Sequence, residues 1–273
     1  MKRKFLILKR FCNSLLILGA FFSANVCKGQ RENFYDPCEI SRLILLAQTT
    51  SPQAVPQKTP PPTQLVREVG PDELEFKGIL LQKKKHRILF PGTLNQRDGL
   101  IEYVLVGEKG KTHESLLATK VQPHDIHMAL LLIGLKQDTK DNPNETAPPS
   151  AIDSQYLQSA PKLKGAPVLL SVAWTQEGKR REVPVEDWIL DLKTNHPMSR
   201  GLWTYNGSLI DENGVFLADQ ELSIVAVVTD PIALVNNPRQ GYNDDQIWQV
   251  LKDAAPPLNT PVVISITLPT SKP

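Results

Sequence analysis

Residues 100–135 read LIEYVLVGEKGKTHESLLATKVQPHDIHMALLLIGL, and the rest of the fold is read outward from them. Leu100 to Val106 is rich in β-formers and predicts a strand. Glu108-Lys109-Gly110-Lys111 predicts a turn, and Thr112 to Val121 the returning strand. Pro123 suits the first position of a helix, where a missing N–H costs nothing. Asp125 suits the positive end of that helix. Met128 to Ile133 is apolar on every side, which predicts a buried helix, and Gly134 begins its end.

On the N-terminal side, Ile79-Leu80-Leu81 and Arg87-Ile88-Leu89-Phe90 flank the basic run KKKHR at 83–87. This reads as a hairpin-like pair or one long bent strand, stopped by Pro91-Gly92. On the C-terminal side, Val168, Leu170, Val172 and Trp174 alternate along a strand that Glu177-Gly178 turns. Glu186 to Leu192 suits a short helix carrying Trp188. Trp203, Tyr205, Gly207 and Leu209 alternate again, and Leu222 to Val228 is a buried strand by its β-branched content. Asp244 suits the N-cap of a helix with Ile247, Val250 and Leu251 on one stripe. Val262, Ile264, Ile266 and Leu268 make a last strand. Strands and helices do not alternate regularly. The expected class is α+β: a mostly antiparallel or mixed β-sheet with one buried central helix and one late amphipathic helix. Residues 66–268 are expected to form a single domain, with an exposed polar loop at about 136–165.

The N-terminus reads differently. Lys2, Arg3, Lys4, Lys9 and Arg10 precede the apolar run LLILGAFF at 15–22. A basic head before a short apolar run predicts a secretory signal over 1–29. The run is well short of the roughly 20 residues a transmembrane helix needs. Cleavage before Gln30 and lipid anchoring through Cys27 are both open. Residues 30–65, with Pro at 52, 56, 60, 61 and 62, predict an extended tether. The expected location is therefore periplasmic or extracellular. Residues 1–29 hold six basic and no acidic residues. The remaining chain has 25 basic and 29 acidic residues, a net charge of −4. Neither nucleic acid nor an anionic membrane is an expected partner.

Composition excludes several chemistries. A hydrophobic content of 41% is too high for a fully disordered chain. Three Cys without a CxxC or CxxCH pattern give no basis for a disulfide scaffold, c-type haem or an iron–sulfur cluster. Nucleotide binding lacks both a P-loop and a G-x-G-x-x-G.

Seven blocks together resemble the YdjY-type domain of exported bacterial proteins. They are Phe90-Pro91, Gly99 to Tyr103, Gly110 to Leu117, Pro123 to Leu135, Trp203 to Ser208, Phe216 to Asp219 and Asp230 to Leu234. The resemblance spans about 66–268 and implies no particular activity. Some family members carry iron–sulfur labels, which the scarcity of cysteine argues against here.

One ligand-rich group stands out. His113, Glu114, His124 and His127 fall within fifteen residues. His124 and His127, three apart on a helix, share a face. A strand-borne His113 meets that face if the strand packs on the helix, and three histidines with an open position suit zinc or another transition metal. His113 and Glu114, neighbours on a strand, would point to opposite faces. The same residues equally suit structural roles: a solvated His124, a core His127 and a polar His113–Glu114 pair. Ser115 lacks the G-x-S-x-G setting of a nucleophile. Glu114, Ser115, Trp203 and Tyr205 are candidate binding residues, Trp203 and Tyr205 as groove liners or as core. The sequence supports a non-catalytic binding or envelope-associated module, with an envelope protein or ligand as partner. A metal-binding accessory protein or metal-dependent enzyme is the alternative.

Overall fold

The structure, a computed structural model, describes residues 65–136 and 163–269. The expected signal, all but the last residue of the expected tether, the three cysteines and most of the 136–165 loop lie outside these residues.

In chain order the strands are β1 (Val66–Gly70), β2 (Glu73–Phe76), β3 (Ile79–Gln82), β4 (Arg87–Leu94), β5 (Tyr103–Gly107), β6 (Ser115–Thr119), β7 (Ala166–Gln176) and β8 (Lys179–Pro184). They continue with β9 (Ile189–Asp191), β10 (His196–Pro197), β11 (Trp203–Tyr205), β12 (Ser223–Ala226), β13 (Val235–Asn236), β14 (Trp248–Val250) and β15 (Pro261–Thr267). Among the described residues the α-helices are α1 (Pro123–Leu132) and α2 (Leu217–Glu221).

Eight strands close a barrel, in the order β4–β15–β7–β11–β13–β12–β5–β6 and back to β4. The closing contact pairs Thr93 with Ala118 and Leu94 with Leu117. β1 to β3 extend the sheet beyond β4, β8 pairs with β7, and β10–β9–β14 form a separate small sheet. Closure removes free edges from the ring.

This corrects the expected α+β class: strands hold 42% and helices 14%, so the domain is mostly β. The central helix forms, but it is not buried all round. Ile126, Ala129, Leu130 and Ile133 join the main core, while Met128 and Leu132 are each 44% exposed. The late helix does not form. Trp248 and Val250 are buried with Gln249 between them, a two-residue period, and they pair with β9. Asp244 instead accepts the amide of Gln246 at 3.1 Å in a turn.

Three further expectations change. Pro91-Gly92 lies inside β4 instead of ending it. β4 hands over partners there: β3 pairs along Arg87–Leu89, and β6 takes over at Thr93. A Cβ on Gly92 would lie 2.5 Å from Ile264 Cδ1, so glycine permits the close approach at this barrel corner. β6 is parallel to β5, not its antiparallel return. A 3₁₀ turn, Thr112–Glu114, carries the chain back beside Tyr103 before β6 begins. A second 3₁₀ turn, Val185–Trp188, leads into β9 where a short helix was expected.

Alternation sets the core. Val168, Leu170, Val172 and Trp174 of β7, Val262, Ile264 and Ile266 of β15, and Ile88 and Phe90 of β4 belong to one cluster. The opposite face holds a smaller cluster of Leu89, Ala173 and Val263. Each such buried aliphatic side chain contributes about 1.5–3 kcal/mol. Trp174 and Trp188 meet edge to face at 5.1 Å.

Candidate functional site

The N-terminal half of α1 gathers a polar and aromatic cluster. α1 packs on α2 as well as on β3 and β4. Asp219 of α2 takes two contacts from one residue. Its Oδ1 accepts the backbone N–H of His124 at 2.9 Å, and its Oδ2 lies 2.6 Å from His124 Nδ1. The other ring nitrogen, Nε2, is 3.0 Å from Asp125 Oδ1. Lys77 Nζ also donates to that oxygen, at 2.7 Å. Both nitrogens of His124 thus face carboxylate acceptors.

His127 sits one turn further along α1, stacked on Tyr205 of β11 with ring centres 6.1 Å apart and planes 16° from parallel. The tilted ring of Phe216 is 5.4 Å away. Nδ1 of His127 is hydrogen-bonded to the Tyr205 hydroxyl. Burial lowers the imidazole pKa; nearby Asp219 opposes this and His124 reinforces it. Burial also raises the Tyr205 phenol, so Tyr205 keeps its proton. The consistent assignment has Tyr205 donating to Nδ1 of a neutral ring, which leaves N–H on Nε2. Gly165, just before β7, lets the chain cross Tyr205: a Cβ there would lie 2.0 Å from its carbonyl oxygen.

The structure separates the remaining candidates. His113 stands on the 3₁₀ turn with a 78% exposed side chain, its Nε2 3.6 Å from Glu114 Oε2. Among the described residues it touches neither His124 nor His127. No group of three or more His, Cys, Asp and Glu is arranged there to hold a metal ion. The described residues contain no cysteine. Ser115 is fully buried, and its hydroxyl donates to the carbonyl of Leu117 at 2.8 Å. Trp203 is also fully buried. Its indole donates to Glu186 Oε1 at 3.1 Å, and the Arg239 guanidinium lies 4.9 Å from its ring centre. Glu186 Oε1 also accepts from Arg239 at 2.6 Å and from the amide of Gly201 at 3.1 Å. Trp203 is therefore core; Tyr205 is buried too, but its hydroxyl reaches the cluster.

Sequence reasoning left several residues out. Asp219 and Asp230 are both structural acceptors. Asp230 takes the Tyr103 hydroxyl at 2.9 Å, and Lys111 Nζ donates to that same hydroxyl at 2.8 Å. Phe216, Asp219 and Asp230 all lie in blocks that carried the family resemblance, and that was the available signal. Lys77 had none.

A closed eight-stranded barrel with a helix laid over its core, and a histidine–tyrosine contact between them, defines the class. The family model for the YdjY domain matches residues 79–267, and the chain belongs to that family. No curated protein and no solved structure matches it. No helix among the described residues is long and apolar enough to cross a membrane.

Proposed function

We propose that this protein is an exported, non-catalytic binding module that recognises an envelope component through His127, Tyr205 and Phe216. One observation carries the reading: the polar groups brought together at α1 already engage one another. His124 faces two carboxylates, Asp125 has Lys77, and Tyr205 holds Nδ1 of His127. Nucleophilic or general-base catalysis needs a reactive group left within reach of a substrate. What remains here is the half-buried His127 ring, with its Nε2 N–H, beside Phe216, an arrangement suited to a ligand carbonyl over an aromatic floor. Export is supported by the basic head and apolar run of residues 2–22.

The test is co-sedimentation of residues 30–273 with isolated cell envelopes, wild type beside Tyr205→Phe and Phe216→Ser. Saturable binding that both variants weaken at least tenfold, with folding intact, is the expected result. Envelope binding equal in all three chains would overturn the site. Stoichiometric zinc, iron or copper that His127→Ala abolishes would replace the reading with the metal-dependent one.

A further inference from the structure

We propose that residues 40–47, ISRLILLA, dock on the outward face of the barrel wall formed by β4, β15 and β7. Six of these eight residues are apolar. Alternation defines the face that receives them. Ile88, Phe90, Val262, Ile264, Val172 and Trp174 point into the main core. Leu89, Val263 and Ala173, one step along each strand, therefore point outward. Register brings them together: Val263 pairs with Ala173, and Leu89 with Ser265.

The outward side of such a wall ordinarily meets water. Yet Leu89, Val263 and Ala173 are 2%, 1% and 3% exposed, and Ser265 among them 3%. Leu169, outward on the same strand β7, is 41% exposed, which is what sheet neighbours alone leave open. Among the described residues only Leu80 of β3 packs against this cluster. Both helices and the small sheet give their apolar residues to the main core instead. The structure holds one chain, so the cover is part of it.

Composition and position choose the occupant. Residues 43–47 are five apolar residues in succession, whereas residues 137–162 hold no more than two together. The latter stretch also leads into β7 at Ala166, and Pro167 and Leu169, outward just beyond, are exposed, so the cover does not climb β7 from that end. The leader arrives at the right level. Val66 pairs with Phe76, Phe76 with Ile79, and Leu80 with Leu89. β1 therefore starts level with Phe90 and its partner Ile264. β15 lies four strand spacings from β1, about 19 Å. The 17 Pro-rich residues 48–64 reach about 50 Å when extended, ample for the strip to fold back. Residues 15–22 are set aside as part of the expected signal, and in that one respect the inference rests on the export reading. Docking would hold the barrel ten residues from Gln30, not at the end of a 36-residue tether.

Photocross-linking of residues 30–273 tests this, and its result stands whether or not the chain is exported. With p-benzoylphenylalanine at position 42, irradiation is expected to join that position to peptides of β4 or β15 within one chain, read by mass spectrometry. Leu43→Glu/Leu46→Glu should abolish that link and shift the urea midpoint of the barrel downward. Ile152→Glu/Leu157→Glu should leave the link in place. No link to β4 or β15, or a link only between two chains, would overturn the proposal. So would an unchanged midpoint in Leu43→Glu/Leu46→Glu. A link lost only in Ile152→Glu/Leu157→Glu would overturn it too, and would give the face to residues 137–162.

Discussion

His127 carries a charge only at a cost. Its folded-state pKa is below the ordinary 6.5, because burial penalises the imidazolium. Below the unfolded value, the unfolded chain therefore binds a proton that the folded chain refuses, and stability falls as pH falls. Unfolding free energy is expected to drop between about pH 7 and about pH 5, and His127→Gln should flatten that slope. Urea midpoints of both chains at the two pH values check it; parallel slopes would refute it.

Glu186 makes a second residue-scale case. Its side chain is almost fully buried with Arg239, and burial lowers the Arg239 pKa while the carboxylate opposes that shift. Removing one partner strands a charge in the core. Arg239→Met should cost about 3–5 kcal/mol. Glu186→Gln added to Arg239→Met should recover part of that loss, because no buried charge then remains. Equilibrium unfolding of the three chains measures it, and no recovery would contradict the account.

At the scale of elements, local pattern was legible and pairing was not. Around KKKHR a hairpin-like pair and one long bent strand were both readable, and the β3–β4 hairpin forms; the β7–β8 hairpin follows from the turn at Glu177-Gly178. The helix start at Pro123 was equally readable. Pro91-Gly92 misled because, read locally, it ends a strand; only the distant partners Ile264 and Ala118 give it a place inside β4. Ile247, Val250 and Leu251 fit a helical stripe, yet Trp248 and Val250 have partners in β9 that fix a strand. Closure itself joins Thr93 to Ala118 and β4 to β15, pairings no single window contains. The same limit governs the site. His124 and His127 were readable as a pair, but Asp219 and Tyr205 come from distant segments, and His113 left the group once its segment became a 3₁₀ turn. Gly92→Val should place a side chain against Ile264 and the Ala118 carbonyl at the closing corner. Overpacking of this kind costs about 1–3 kcal/mol, read as a lowered denaturant midpoint. An unchanged midpoint would mean that β4 does not turn this corner tightly.

On the scale of the whole molecule, the barrel is the frame and α1 the exposed instrument laid upon it. One face of α1 fills the core, an adjacent stripe meets α2 and Tyr205, and a third looks outward. Membership of the YdjY-domain family covers this frame over residues 79–267. The proposed role gives the second of these faces, at His127 and Phe216, to a ligand. Phe216→Ser should therefore lose envelope binding and keep the fold, read as lost co-sedimentation with an unchanged thermal midpoint.

The most direct measurement is the imidazole ¹H–¹⁵N spectrum of residues 30–273, with and without solubilised envelope fragments. The account predicts Nδ1 of His127 as an acceptor, Nε2 as N–H, and His127 signals that shift when fragments are added while His113 signals do not. Fragments that bind without moving His127 would contradict it, as would a His127 ring whose nitrogens report a bound metal.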